Sequence, residues 1–240
     1  MKGCKERVAL WKRLGEAGEE RDDLEETLMD DLDFCMHHID EPSTLKLIAE
    51  IVQGLPLVEE PAVALDGFVR ILQAKKKASV AILRAVVTLV SVHGADLPDF
   101  FKMFHDLLTP FLFMESSDEL LLMTDQVLKA ENLSLAVVRS IVKRLAFLAL
   151  RVDTLLAHKI LGVISRAMQR HPRAPVPYKN REEKENTAEF TNYQPYLFEI
   201  DALKDHPVLG NAARAIKSSA PVERLTEHQF ITAVEREWAS

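Results

Sequence analysis

Glycine is scarce in this chain, with 8 in 240 residues, and that scarcity argues against the glycine-rich loops that cradle phosphate groups. No P-loop, GxGxxG, GxSxG elbow or HExxH occurs anywhere in it, so the common nucleotide, hydrolase and metalloprotease signatures are excluded. Only two cysteines are present, Cys4 and Cys35, with no CxxC pair and no Cys/His cluster. That suits a reducing compartment and a fold held by neither disulfide nor structural metal. The longest apolar run, Val80 to Val92, is too short for a bilayer and is interrupted by Arg84, while the start from Met1 to Arg13 is charged where a signal peptide would be apolar. These absences predict a soluble intracellular protein. The β-branched residues fall at helical spacing, so no strand is expected.

What the chain does have is apolar residues at the period of a helix. At 48% hydrophobic, a chain of this length buries about 70% of its unfolded surface, enough for one large domain or two small ones. The central stretch is Val138 to Pro172. Val138, Ile141, Val142, Leu145, Leu148 and Ala149 form one broad face, and after a break at Val152-Asp153 a second run places Leu156, Ile160, Val163, Ile164 and Ala167 on another. Asp153 and Ser134 are predicted N-caps. The spacing predicts an antiparallel helical hairpin, stopped at His171-Pro172, with a cationic outer stripe of Lys159, Arg166 and Arg170.

Along the rest of the chain, a short helix is expected over 5–14, a break at Gly15 to Gly18, and an acidic helix from Glu19 to His38 with Leu24, Leu28, Leu32 and Cys35 on its stripe. Ser43 is the expected cap of a helix ending at Gly54, and Pro61 opens another that runs to Lys75. Lys75-Lys76-Lys77 reads as a charged helix end rather than an import signal. Val80 to His93 is apolar on most sides and is expected to be central, followed by Asp99 to Leu108 and by a helix over Asp118 to Ala130 that Ser116 and Glu119 open as a capping box. Beyond an exposed loop at 173–192, an amphipathic helix at Tyr196 to Leu203, a segment Val208 to Lys217 and a helix from Glu227 to Trp238 complete the chain. The division is 1–42 acidic extension, 43–172 helical-repeat domain, 173–192 loop and 193–240 helical tail packing on the repeat. Helix pairs begin near Thr44, Val80, Asp118 and Asp153, at steps of 36, 38 and 35 residues, which predicts an all-α, HEAT-like solenoid.

The net charge of −7 hides a segregation. Glu16 to Glu41 carries twelve acidic residues and one base, Arg21, whereas Arg139 to Lys184 carries eleven Lys/Arg against three acids, a local balance of 11 − 3 = +8. Arg139, Lys143, Arg144, Lys159, Arg166 and Arg170 are the candidate partner- or RNA-binding residues, expected to form one solvent-facing ridge for phosphate backbones or an acidic partner. Reversal of Lys159, Arg166 and Arg170 to Glu is expected to leave the fold intact. Aromatic interleaving is absent, so stacked single-stranded bases are not implied. Two metal readings are weaker: His105-Asp106 with His93 and Asp125, as in an all-helical HD-type phosphohydrolase, and Asp33 with His37 and Asp30 one turn apart on an acidic helix. Neither carries a catalytic prediction, and no cofactor or small-molecule substrate is expected.

An ordered series of motifs points further. Leu97-Pro98-Asp99-Phe100-Phe101, then Leu107-Leu108-Thr109-Pro110-Phe111-Leu112-Phe113, then Ile141-Val142-Lys143-Arg144-Leu145-Ala146, then Arg170-His171-Pro172 are followed by Thr191-Asn192, Leu197-Phe198-Glu199-Ile200, Leu203 and His206-Pro207. Over roughly residues 80 to 217 this order resembles the C-terminal domain of the CCAAT-binding-factor/Mak21 family, with Phe198 where the family usually has Trp. The resemblance implies a non-catalytic α-helical scaffold working in the nucleus and nucleolus on pre-ribosomal particles, with a protein partner of the nucleolar protein 14 type on small-subunit precursors. A Mak21-like role on large-subunit precursors, with nucleolar complex protein 2, is the alternative within the family. A HEAT-type transport adaptor is the alternative outside it. In the tail, Thr191, Asn192, Leu197, Phe198, Glu199, His206 and Pro207 are the family-motif residues; Phe198 is expected in the core and Glu199 to be exposed and of little weight.

Overall fold

The computed structural model describes residues 3–17, 23–39, 41–74, 80–130, 133–174, 197–218, 220–223, 229 and 231–232. All regular structure among them is helical, without a strand. The chain divides into two compact units, Met1–Asp99 and Phe100–Ser240.

In the first unit, α1 (Cys4–Ala17) packs on α3 (Pro42–Gly54), and α2 (Leu24–His37) packs on α3 and α4 (Leu65–Ala74). α5 (Val80–Ser91) lies against α3 and α4. α1 runs through Gly15 to Ala17, so the break expected at Gly15 to Gly18 does not begin at Gly15, and Gly18 lies outside the described residues. The stripe of α2 is buried as its period requires, Leu24, Leu28, Leu32 and Cys35 all facing inward. Asp31 is buried beside them because α1 brings it two donors, the Arg7 guanidinium and Trp11 Nε1–H at 2.6 Å. A buried carboxylate needs such partners to offset its lost hydration. Trp11 in turn lies so close over α3 that a Cβ at Gly54 would come within 2.4 Å of its ring.

Local chemistry corrects two further expectations here. Glu41, not Ser43, stands at the N-cap position of α3, because Pro42 occupies the first helical position, where its missing N–H removes nothing. Pro61 opens a 3-10 turn, Pro61–Ala64, and the α-helix begins only at Leu65. Gly94, at a φ of 67°, lets the chain reverse after α5 so that Ala95 N–H reaches the Leu89 carbonyl at 3.0 Å. Lys75-Lys76-Lys77 lies outside the described residues.

The second unit is built on α8 (Leu135–Ala149) and α9 (Thr154–Arg170), which pack together along the two predicted apolar faces. Both predicted caps are present: Ser134 Oγ accepts from Val137 N–H at 3.3 Å and Asp153 Oδ1 from Leu156 N–H at 3.0 Å. Each fully buried Leu, Ile or Val contributes about 1.5–3 kcal/mol relative to exposure, so this pair supplies most of the local core. α6 (Phe100–Leu107) packs on α8, and α7 (Pro110–Val127) packs on α9. Asp99, at a φ of 61°, makes the turn into α6. α7 opens at Pro110, capped by Thr109 Oγ1, and consists of two helical stretches that meet at a kink at Ser116 (φ −155°, ψ 67°). Ser116 leaves the helical region, as the residue that precedes a new helix does, so the helix expected from Asp118 is present and is joined across this kink to an earlier stretch that begins at Pro110. The tail contributes α10 (Phe198–Leu203), against α8 and α11, and α11 (Gly210–Lys217), against α9.

Candidate functional site

All six candidate cations lie in the second unit, and the geometry assigns each of them an intramolecular partner. Lys143, on α8, donates from Nζ to Glu199 Oε2 at 2.7 Å, and the same ammonium lies 4.0 Å from the centre of the Phe198 ring. Glu199 is 1% exposed and Phe198 50% exposed. The expected roles of the two are thus exchanged. The carboxylate is the buried anchor of α10, while the ring covers the ion pair from outside and shields it from water. Helical geometry explains this, because Phe198 is the first residue of a six-residue helix whose inner side is taken by Glu199, Ile200 and Leu203.

On the other side of the unit, Asp125 of α7 gathers three cations. Arg166 Nε donates to Oδ1 at 3.2 Å, Arg170 donates through Nη1 to Oδ1 at 3.1 Å and through Nη2 to Oδ2 at 3.4 Å, and Lys129 Nζ stands 3.2 Å from Oδ2. Burial by itself would raise the Asp125 carboxyl. The hydrogen bonds from Arg170 and Lys129 and the nearby charge of Arg166 outweigh it and hold the group below the ordinary carboxylate range. Lys159 makes a more exposed pair with Asp118 at 2.7 Å.

The remaining two cations end on backbone carbonyls. Arg144 Nε donates to the Leu108 carbonyl at 2.8 Å, just past the end of α6, and Arg139 donates to the carbonyls of Ala174 (2.9 Å) and Arg173 (3.2 Å), just past the end of α9. Two other residues act alike. His171 Nε2 donates to the Leu128 carbonyl at the end of α7 (3.0 Å), and Arg214 Nη1 donates to the Lys204 carbonyl at the end of α10 (2.7 Å). Helix C-termini carry unpaired carbonyls and the negative end of the dipole, so a cation bound there is favourable twice over.

In the His206-Pro207 motif, His206 Nδ1 accepts from the N–H groups of Val208 and Leu209, both at 3.2 Å, and so holds the turn into α11. The ring proton therefore sits on Nε2. Leu197 stands at the N-cap position of α10. Thr191 and Asn192 lie outside the described residues.

The metal readings gain no geometry. His105 Nδ1 lies 3.1 Å from its neighbour Asp106, Asp125 is enclosed by cations, and His37 Nδ1 donates to the Asp33 carbonyl at 2.8 Å on an exposed helix face. Among the described residues, no group of three His, Cys, Asp or Glu could hold an ion, and no helix is long and apolar enough to cross a membrane. A groove of about 360 Å³ between α7 and α9 is the feature that motif reading missed. Leu121, Leu122, His158, Gly162 and Val163 line it, together with Glu223, and burial lowers the His158 pKa against the opposing charge of Glu223. The sequence carried little signal of it: Leu122 falls outside the inward period of Leu121, Asp125 and Leu128, but a single exposed apolar residue is ordinary on a protein surface.

Residues 79–231 match the CBF/Mak21 family, more than half of the chain. The chain belongs to the CBF/Mak21 family. Over 200 residues it is 26% identical to the nucleolar complex protein 4 homolog of Homo sapiens, an alignment covering 73% of this chain and 38% of the human protein. The homolog of Danio rerio is 26% identical over 200 residues (75% and 38%), and that of Gallus gallus 25% over 208 residues (78% and 40%). The chain thus spans about two fifths of the length of these curated relatives. Within the family match, Arg144, Arg170, His171 and Glu199 all hold joints between helices.

Proposed function

We propose that this chain is a non-catalytic scaffold of nucleolar ribosome assembly, on the small-subunit branch, with a protein partner of the nucleolar protein 14 type. The observation that carries the reading is the family match over 79–231, joined to the kinship with proteins named nucleolar complex protein 4 homolog. The geometry agrees with it, since the motif residues connect helices where a catalyst would aim them at a substrate. In this reading the helices stack in HEAT-like fashion, and the particle is engaged mainly through protein contacts. Of the four candidate cations paired with carboxylates, Lys159 keeps the most exposed side chain, followed by Arg166 and Arg170. Those three supply whatever contact the unit makes with ribosomal RNA.

Capture of the tagged chain at low salt, with identification of the copurifying protein and RNA, tests the proposal. A nucleolar protein 14-type partner with small-subunit precursor RNA is expected. Recovery of nucleolar complex protein 2 with large-subunit precursors would transfer the chain to the Mak21 branch. An import cargo or a small GTPase without precursor RNA would make it a transport adaptor.

A further inference from the structure

Between α2 and α4 the first unit carries an apolar groove inside an acidic rim, and we propose that this groove receives a basic amphipathic helix of a partner protein. Met29, Leu32, Asp33 and Met36 of α2 line it, with Gly67 and Arg70 of α4, around a space of about 100 Å³. The two helices touch at its floor. A Cβ on Gly67 would come within 2.9 Å of Leu32 Cδ1, so glycine lets α4 lie against a leucine that is itself buried. The two methionines stand seven residues apart, about 10 Å along the helix, and Met29 is 40% exposed. The space has room for about one aliphatic side chain, and unbranched methionines reshape around whichever one enters.

The rim decides the kind of partner. Glu26, Asp30 and Asp33 recur at four- and three-residue steps on the exposed side of α2, and Asp66, beside Gly67, is exposed on α4. Four carboxylates against one cation, Arg70, leave a balance of −3, and Arg70 Nε donates to the Asp66 backbone carbonyl at 3.4 Å. Asp33 stands 3.6 Å from His37, both of them exposed, and among the described residues Glu26, Asp30 and Asp66 enter no ion pair. The second unit differs: there Asp118, Asp125, Glu199 and Asp201 are each closed by a basic side chain. Glu26 to Asp33 spans about 10 Å, which matches lysines or arginines one and two turns apart on a partner helix whose apolar stripe enters the groove. The same field turns nucleic-acid phosphates away. This surface lies outside the family match at 79–231, so its test is separate from that of the function proposed above.

Methyl NMR of the full chain labelled at methionine reads the groove directly, with Met29→Leu and Met36→Leu assigning its two resonances. The probe is a synthetic helix of lysine and leucine, its leucines at three- and four-residue steps. As it is added, the Met29 and Met36 resonances are expected to shift saturably, while Met114, 73% exposed on α7 and beside Glu115, stays in place. Asp30→Lys with Asp33→Lys, both on the exposed face of α2, should weaken this binding by about tenfold or more and leave melting with the wild type. Glutamine in place of the peptide's lysines should weaken binding to the wild-type chain as much, a comparison that does not depend on how the variant folds. No shift of Met29 or Met36, an equal shift of Met114, a charge-reversed chain that binds as before, or a glutamine peptide that binds as well as the lysine one overturns the proposal. Shifts of both resonances with the chain's own concentration, peptide absent, overturn it too and give the groove to a second copy.

Discussion

Replacing Asp125 by Asn removes one charge and keeps the shape, so it isolates what the carboxylate does for α7 and α9. Three cations lose their counter-ion. Lys129 is well exposed and turns to water at a cost of at most about 1 kcal/mol. Arg166 and Arg170 are less than a third exposed, and their charge-assisted bonds are of the kind that contribute about 1.5–3 kcal/mol each. The amide oxygen of Asn retains part of one bond, and the effects are not additive, so a loss of about 2–3 kcal/mol is expected. That lowers the melting temperature by roughly 5–10 °C at 2–4 °C per kcal/mol.

The pH dependence gives an independent check. The carboxyl of Asp125 is held below its ordinary value of 3.8 in the folded chain. Its contribution is therefore complete above that value and lost as the pH falls through the lower folded one. The difference in melting temperature between wild type and Asp125→Asn, followed by circular dichroism, should be full at pH 6 and shrink below about pH 4. An Asp125→Asn chain that melts with the wild type, or a difference that does not change in acid, refutes the assignment of Asp125 as the hub.

The same geometry reverses what a solvent-facing ridge would predict: Arg166→Glu with Arg170→Glu should lower the melting temperature by more than Asp125→Asn does, because two carboxylates would then face a third, whereas Lys159→Glu should change it by under about 1 kcal/mol. Glu199→Gln breaks a buried pair and should cost about 3–5 kcal/mol, read as earlier proteolysis after α9, while Phe198→Ala removes a half-exposed ring worth about 1 kcal/mol over Lys143 and should leave melting nearly unchanged. Gly54→Ala should destabilise the first unit by about 1–3 kcal/mol through Trp11, despite the better helix propensity of alanine. Burial pushes the Cys35 thiol up to about 12, so alkylation of the native chain at pH 8 should label Cys4 first; equal labelling would contradict the burial of α2.

Periodicity made most of the helices legible. The faces of α2, α8 and α9, the caps Ser134 and Asp153 and the stop at Pro172 were all readable, because each depends on residues within one or two turns. What was not readable depends on the partner across a contact. The break at Ser116 was readable, but not that a helical stretch from Pro110 would join it across a kink. Glu199 looks like a surface carboxylate on a short helix until Lys143, fifty-six residues away, is placed 2.7 Å from it. Asp125 drew notice as a metal ligand for its type and was instead the anion that three cations need.

The basic block from Arg139 onward shows the same limit from the other side. A run of positive charge suggests an external anion, and the local sequence cannot reveal that the anions are internal. Four helices of the second unit end within reach of a cationic or histidine side chain: Arg144 at α6, His171 at α7, Arg139 at α9 and Arg214 at α10. Every helix C-terminus leaves carbonyls unpaired, and a bundle of short helices has many such ends for its volume. With 8 glycines in the whole chain, glycine C-caps are few, and long basic side chains from neighbouring helices are the available substitute. The positive charge of the region is then partly a consequence of how its helices stop. A substitution such as Arg144→Met should accordingly loosen the α6 end, seen as faster amide exchange there, before it changes any association with RNA.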